Sequence, residues 1–364
     1  MGGIHQLAEL IPGAANYMEM ANIQPGEEVL VIPATDCDEI VIEAVIASVR
    51  MVGATPTVAY APPPELYFHE APDSLVEAMC AADTVLDLGA FVWGHSDGSL
   101  RAMAEYLTKG ALLIPPTPAR LRSEAALFPI PLIRAIARKV YDQVQKPDGT
   151  KIRVTSPSGT DLTAEVFRTQ TGTDGYMKPL APGEFHVFPS GVVGFVPPLN
   201  VNGEAIFEAY TGFGRLSEPV TFVIKEGYVT RIKGGWEARE IETRIEGAVN
   251  GNHVCEIMWG IVPKNNVDLE TKPISMESER SPRTLHIGLG DVKLNGGPKR
   301  AVGEGPHWST LHQDGYMMYP TLVVGEDVVQ DHGHLTILDD PEIAALARQY
   351  GDPKQVLSYG EVRA

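Results

Sequence analysis

The sequence predicts an α/β amino-terminal domain built on a parallel sheet, followed by a β-rich α+β carboxy-terminal domain. Helix-like and strand-like apolar segments alternate up to about residue 148, whereas short strand-like segments separated by Gly, Asp and Pro dominate after it. The chain has 364 residues, which is long for a single hydrophobic core. We therefore expect two domains, at residues 1–148 and 149–364.

The first domain alternates helices with strands, a pattern typical of a parallel sheet covered by helices on both faces. Helical spacing of apolar residues is found at 5–23, 38–54, 73–82 and 98–110, and buried strands are indicated at 27–34, 55–63, 83–91 and 111–116. A helix at about 130–150 leads out of the domain. Because none of these helices opens on a GxGxxG or GxxxxGK[ST] loop, nucleotide binding through such loops has no support.

The second domain has strand-like segments at 150–167, 218–235, 283–291 and 319–338, with helical patterns at 237–249 and 340–351. The whole chain carries a formal net charge of −18, which argues against nucleic acid and anionic membranes as partners. It has no apolar run long enough to span a bilayer and no signal-peptide pattern at its amino terminus. Its three cysteines show no CxxC spacing, so we expect a cytoplasmic protein.

An HxD pair, His312 and Asp314, is the first candidate for a metal site. On a strand these two side chains would project from the same face. An imidazole and a carboxylate make up two-thirds of the 2-His-1-carboxylate set that holds non-haem Fe(II) and leaves coordination positions open. The alternative is an ordinary polar strand face or a simple His–Asp hydrogen bond.

Further histidines in the second domain strengthen the metal hypothesis. His253, His286 and His307 lie in stretches whose flanking residues look buried, and Glu256 follows His253 closely. Buried His and Glu need partners, and a metal ion is one such partner. Each histidine taken alone could equally be a core residue bonded to backbone carbonyls. His332 and His334 form an HxH that could reach a metal, but we expect both to be exposed or close to a sheet edge.

Two histidines earlier in the chain are candidates for contacting a substrate. His95 follows a predicted strand and precedes a helix, and ligands of open α/β sheets bind at the carboxyl ends of strands. The alternative is a helix-entry loop in which Ser96 or Asp97 caps the helix. His186, with Glu184 two residues before it, forms a further same-face pair. His5 and His69 have no such surroundings.

The order of the segments at 188–198, 256–261, 285–291 and 307–314 resembles the metallo-aminopeptidases of peptidase family M29, whose first domain is also α/β. The resemblance spans most of the chain and is clearest in 185–320. It implies a metal-binding second domain, and by its pattern Glu256, His286, His312 and Asp314 fall on metal-ligand positions. Two positions depart from it: Val192 replaces a glutamate that bridges two metals, and Lys293 replaces a tyrosine. Loss of the bridging carboxylate argues against a two-metal hydrolase.

The sequence is also similar to a branch of the same superfamily, the 2,5-dihydroxypyridine 5,6-dioxygenases. This resemblance implies one Fe(II) held by two His and one Asp, and we assign His253, His312 and Asp314 to these positions, with His286 and Glu256 as rivals of His253. It implies an extradiol-type ring-cleaving dioxygenase acting on a hydroxylated pyridine or related aromatic with O2, and a homo-oligomer.

His286, His95 and His186 are candidates for the catalytic base. Pocket walls could be formed by Trp308, Tyr316, Met317 and Phe185, although aromatic and Met side chains are more often core residues. The alternative function is an M29-type aminopeptidase.

Overall fold

The structure is a computed structural model that describes residues 3–61, 70–89, 96–167, 171–173, 177–270, 276–291 and 309–363. The chain forms two compact units. The first comprises the described residues of 1–134 and 174–190, and the second those of 135–173, 191–295 and 300–364. The chain thus returns to the first unit at 174–190. The two domains expected from the sequence, divided once at residue 148, do not include this return.

The described part of the first unit contains one parallel sheet, with strand order β2-β1-β3-β4-β8. Its elements are α1 (Gly3–Met20), β1 (Glu28–Pro33), α2 (Glu39–Val52), β2 (Thr55–Val58), α3 (Asp73–Ala81), β3 (Thr84–Leu88), α4 (Asp97–Tyr106), β4 (Lys109–Leu113), α5 (Pro118–Arg122) and β8 (Phe185–Phe188). The predicted alternation of helices and strands and the parallel sheet are confirmed. The strand β8, which the sequence placed in the second domain, is an addition to this sheet.

Local sequence signals explain these elements. Every residue of β3 and β4 is buried, as expected for strands of a parallel sheet covered on both faces. Asp38 caps the start of α2, where its carboxylate accepts from the amide of Ile40, and Gly53 caps the end with a left-handed φ of 91°. The side chain of Ser96 caps α4 by accepting from the amide of Ser99, which confirms one of the two predicted caps.

The second unit contains a large, mainly antiparallel sheet that extends from β19 to β7 in the order β19-β18-β17-β5-β6-β10-β16-β15-β13-β9-β7, with β11 and β12 pairing beside β10. Its strands are β5 (Lys151–Thr155), β6 (Asp161–Glu165), β7 (Thr171–Thr173), β9 (Val192–Phe195), β10 (Leu199–Tyr210), β11 (Gly214–Lys225), β12 (Tyr228–Lys233), β13 (Val254–Gly260), β15 (Thr284–Gly290), β16 (His312–Met318), β17 (Thr321–Val324), β18 (Asp327–Asp331) and β19 (His334–Leu335). This sheet agrees with the β-rich character predicted for the later part of the chain.

Short helices and a small second sheet complete the second unit. The helices are α6 (Ile130–Val144, which begins in the first unit), α7 (Trp236–Glu246), α8 (Met276–Glu279), α9 (Pro341–Ala347) and α10 (Pro353–Val356). The strands β14 (Val267–Asp268) and β20 (Val362–Arg363) pair in parallel. Within the described residues of both units, no helix is long and apolar enough to cross a membrane.

Candidate metal centre

Three neighbouring antiparallel strands, β13, β15 and β16, carry the candidate site. In their register, Glu256 of β13 and Asp314 of β16 both lie opposite Gly288 of β15, from its two sides. His312 lies opposite Gly290, the next residue of β15 on the same face. Directly opposed residues of antiparallel strands share a face. The register therefore gathers two carboxylates and an imidazole above a pair of glycines.

A β-bulge at Cys255 directs Glu256 to this face. Val254 pairs with Leu289 and Glu256 with Gly288, so two residues of β13 advance while β15 advances by one. In an unbroken strand Val254 and Glu256 would share a face, but here they point to opposite faces because Leu289 and Gly288 do. The extra residue thus turns the Glu256 carboxylate toward His312 and Asp314.

The two glycines leave room for these side chains. A Cβ atom at Gly288 would lie 2.5 Å from Cγ of Glu256 and 2.8 Å from its Oε1. At Gly290, φ is +94° and a Cβ would lie 2.0 Å from the carbonyl oxygen of Leu311. A side chain at either position would collide with the site or its backbone. The "HIGLG" stretch therefore makes the cleft in which the carboxylates meet.

The donor atoms of Glu256, His312 and Asp314 lie within 4.8 Å of one another. His312 Nε2 is 3.4 Å from Asp314 Oδ1 and 3.5 Å from Glu256 Oε1. Two ligand atoms at right angles, each about 2.1 Å from one ion, would be about 3.0 Å apart. The spacing is therefore only slightly wider than that of donors around a bound metal. This is the one such group of three donors within the residues that the structure describes.

The orientation of His312 suits metal binding through Nε2. Its Nδ1 lies 2.7 Å from the backbone carbonyl oxygen of Asp291. A carbonyl only accepts, so in the neutral imidazole Nδ1 carries the proton and Nε2 presents its lone pair to the carboxylates. Cys255 Sγ lies 3.8 Å from the same Nδ1. Burial raises the pKa of the Cys255 thiol well above its ordinary value, so the thiol lies beside Nδ1 in its neutral form.

Charge crowding perturbs the titration of the group. Burial alone would lower the pKa of His312, but the carboxylates of Asp314 and Glu256 outweigh it, so the pKa is raised. Burial raises the pKa of Asp314, although His312 and His286 oppose the rise. Asp314 Oδ1 is buried and accepts no hydrogen bond within the described part of the chain. The negative charge of the two carboxylates is thus incompletely balanced, and a bound divalent cation would balance it.

Four further side chains surround the three donors. His286 Nε2 lies 3.3 Å from Glu256 Oε1 and 4.0 Å from Glu279 Oε1. Tyr316, opposite His286 in the register, donates its hydroxyl to Glu279 Oε2 at 3.1 Å and reaches Asp314 Oδ2 at 3.4 Å. Arg280 forms an ion pair with Glu279. Because these two neutralise each other, the charges of Glu256 and Asp314 remain to balance a divalent ion.

The chemistry of the donors fits a metal ion. Carboxylate oxygen and imidazole nitrogen are ligands for divalent first-row metals, and three protein ligands leave coordination positions open for small molecules. The group contains one imidazole and two carboxylates, rather than the two imidazoles and one carboxylate assigned from the sequence. The third donor is Glu256, one of the two rivals named for that position, in place of His253.

The structure does not bring His253 together with His312 and Asp314. Its ring packs against Tyr228 at a centroid separation of 4.9 Å, and its Nε2 is near Gly227, at the turn between β11 and β12. Its backbone carbonyl accepts from the amide of Gly290. The ring of His253 therefore contacts this turn, and its backbone bonds to β15, the central strand of the site.

The remaining candidates fall in different places. His186 lies in β8 of the first unit, where burial, then the charges of Lys178 and Arg134, lower its pKa to about 3. Val192 is buried at the start of β9, opposite Gly260. The exposed His332 and the partly exposed His334 bond to Asp331 and Asp339. The predicted positions that lie outside the described residues are His69, His95, Lys293, His307 and Trp308.

Sequence reasoning did not identify Glu279, Arg280 or the carbonyl of Asp291 as parts of the site. Glu279 and Arg280 lie in a charged stretch, "MESER", which resembles any solvated turn. In the fold both are buried. The available signal was only their position a few residues before the "LHIGLGD" strand.

Comparison with known proteins identifies one family model and two similar solved structures. The family model of NicX, 2,5-dihydroxypyridine 5,6-dioxygenase, matches residues 9–337. A solved structure of 2,5-dihydroxypyridine dioxygenase from Pseudomonas putida KT2440 superimposes with a TM-score of 0.71 at 17% identity, covering 93% of this chain and 99% of that one. Wild-type AmpT from Thermus thermophilus superimposes with a TM-score of 0.64 at 17% identity, covering 90% and 99%. No curated protein sequence matches the chain.

The two solved structures show the fold alone, and the family model supports a dioxygenase. The resemblance to the dioxygenase branch is confirmed, and it supports a ring-cleaving dioxygenase more strongly than an aminopeptidase. A family model that matches 9–337 includes all three donors of the metal group. The chain belongs to the NicX family of 2,5-dihydroxypyridine 5,6-dioxygenases.

Proposed function

We propose that this chain is an Fe(II)-dependent, extradiol-type dioxygenase that opens the ring of a hydroxylated pyridine such as 2,5-dihydroxypyridine. The observation that carries the proposal is the convergence of Glu256, His312 and Asp314 in a chain of the NicX family. The substrates would be a small aromatic and O2. Residence in the cytoplasm and assembly into a homo-oligomer stay expectations from the sequence.

Glu256, His312 and Asp314 would hold the iron, and His253 would not. A ferrous ion held there would supply open coordination positions and the redox chemistry that joins O2 to an electron-rich ring. Two carboxylates and a neutral imidazole would leave the loaded centre without net charge, because the Glu279–Arg280 pair is already neutral. An anionic ring hydroxylate that approached this centre would then meet no net electrostatic repulsion.

His286 is our choice for the base that takes the proton of the ring hydroxyl. Its Nε2 is 3.3 Å from Glu256 Oε1, so it borders the metal group directly. Its Nδ1 is buried and has no hydrogen-bond partner within the described residues. A buried imidazole nitrogen without a partner is a natural contact for a polar substrate atom. Removal of the hydroxyl proton would make the ring a better electron donor.

His95 and His186 remain proposals for the first unit. His186 is almost fully buried and holds no proton near neutral pH, because its pKa is lowered to about 3. It could accept a hydrogen bond but would be a weak base. His95 lies outside the described residues, and its role rests on the position of the "FVWGHSDGS" stretch after a predicted strand.

Oxygen consumption tests the proposal. The protein is purified without oxygen, loaded with one equivalent of Fe(II), and mixed with 2,5-dihydroxypyridine while O2 and ring absorbance are followed together. We expect one O2 to be consumed for each ring lost. His312→Ala, loaded in the same way, is the control that should abolish uptake. Absence of uptake with a panel of hydroxylated rings, together with amine release from an aminoacyl-p-nitroanilide, would replace the proposal with the aminopeptidase alternative.

A further inference from the structure

We propose that Tyr316 is a positioning residue, whose hydroxyl holds one oxygen of Asp314 so that the other is free for the metal. The inference rests on the proposed function, because it assumes that Asp314 is a metal ligand. It concerns Oδ2, the Asp314 oxygen that contacts Tyr316.

The two oxygens of Asp314 have different surroundings. Oδ1 is 3.4 Å from His312 Nε2, faces the donor group and accepts no hydrogen bond within the described residues. Oδ2 lies 3.4 Å from the hydroxyl of Tyr316. A carboxylate with one oxygen occupied by a hydroxyl donor tends to bind metal through the other oxygen alone. The geometry therefore assigns Oδ1 to the metal and Oδ2 to Tyr316.

Glu279 fixes the hydroxyl in place. The hydroxyl of Tyr316 donates to Glu279 Oε2 at 3.1 Å, which is shorter than its contact with Asp314. The ring is buried and packs at 5.7 Å from the ring of His286, so the phenol has little freedom to move. Typical O–H···O bonds are about 2.7–2.8 Å long, so a small movement of Asp314 would complete its bond to Tyr316.

Arg280 adjusts the competition for the single hydroxyl proton. A phenol has one proton, and both Glu279 and Asp314 accept it. Arg280 is bound to Glu279 through Oε1, the oxygen that Tyr316 does not use. Compensation of the Glu279 charge weakens that carboxylate as a competitor, so Asp314 shares the proton even though the bond to Glu279 is the shorter one. Tyr316 would thus secure Asp314 as the metal binds.

Tyr316→Phe is the test, with the dissociation constant of Fe(II) as its readout. The constant is measured without oxygen by competition with a chelator, in the native background and in Asp314→Asn. Loss of a group that orients a metal ligand typically weakens metal binding by about 10- to 100-fold. We expect that loss in the native background and no further loss in Asp314→Asn, because the hydroxyl acts through the Asp314 carboxylate.

Tyr210→Phe is the matched control. Tyr210 lies on β10 opposite Gly315, is fully buried, and its hydroxyl has no hydrogen-bond partner within the described residues. Its removal should leave Fe(II) binding unchanged. Equal losses for Tyr316→Phe in both backgrounds would reveal a general packing role and overturn the inference, as would no loss in either. If the wild type bound no Fe(II), or Asp314→Asn bound it as tightly as the wild type, the proposed metal site itself would fall with the inference.

Discussion

Glu256 and Asp314 reach the same space above Gly288 from the two strands that flank it. Both residues are directly opposite this glycine in the sheet register. They are separated by 58 positions in the sequence, so only the pairing of β13, β15 and β16 brings them together. The absence of a side chain at Gly288 is what allows two carboxylates and His312 to share one cleft.

The cleft above Gly288 should close when a methyl group is added. In Gly288→Ala, the new Cβ would lie 2.5 Å from Cγ of Glu256, too close for any real contact, so the Glu256 side chain must move. We expect metal binding to weaken by roughly the 10- to 100-fold associated with a misplaced ligand, at a cost in stability of about 1–3 kcal/mol for overpacking. Metal titration and urea unfolding measure the two effects.

The matched control for that change is Gly247→Ala. Gly247 is exposed at the end of α7, and the nearest atom to its added Cβ is 3.3 Å away. It should leave metal binding unchanged. If Gly288→Ala bound metal as tightly as Gly247→Ala, Glu256 would not be a ligand in the observed position.

His286 should separate catalysis from metal binding. In His286→Gln, the three donors remain, so Fe(II) should bind with an affinity near that of the wild type. Loss of a general base slows a reaction by about 100- to 10,000-fold, and we expect ring opening to slow to that extent. Comparison of metal content with turnover distinguishes a catalytic base from a metal ligand. Loss of the metal in His286→Gln would identify His286 as a ligand, and full turnover would show that another residue is the base.

His186 should make the stability of the chain depend on pH. Its pKa is lowered to about 3 in the folded state by burial and by Lys178 and Arg134, whereas in the unfolded chain it is near 6.5. Between these values the unfolded state binds a proton that the folded state does not. Protonation of His186 therefore leaves the free energy of unfolding unchanged above pH about 6.5 and lowers it as the pH falls toward 3.

His186→Gln removes this titration and serves as the reference. The unfolding free energy of the wild type relative to the variant should fall by up to about 1.4 kcal/mol for each pH unit below 6.5. Urea unfolding at several pH values provides the measurement. A difference that stays constant from pH 7 to pH 5 would mean that His186 is not excluded from protonation in the folded chain.

Short-range pattern was sufficient to predict much of the fold and half of the site. The period of two along a strand predicts that His312 and Asp314 share a face, and their side chains are 3.4 Å apart. The alternation of helices and apolar strands predicts the parallel sheet. Both features depend on neighbours in sequence, which a single chain displays directly.

Long-range pairing explains what the sequence could not supply. The choice between His253, His286 and Glu256 depends on the bulge at Cys255, which shifts the register by one residue and is not visible in an apolar run. The contact of Tyr316 with Glu279 joins positions 37 residues apart. The strand β8 joins the first sheet although it follows elements of the second unit.

The metal content of Glu256→Gln compared with that of His253→Gln tests the central claim most directly. Each variant is loaded with Fe(II) without oxygen, freed of loose metal and analysed for bound iron per chain. The structure predicts that Glu256→Gln loses its iron and that His253→Gln, whose ring packs on Tyr228, retains one equivalent. Retention of iron by Glu256→Gln together with its loss from His253→Gln would contradict the proposed centre and restore the two-histidine site expected from the sequence.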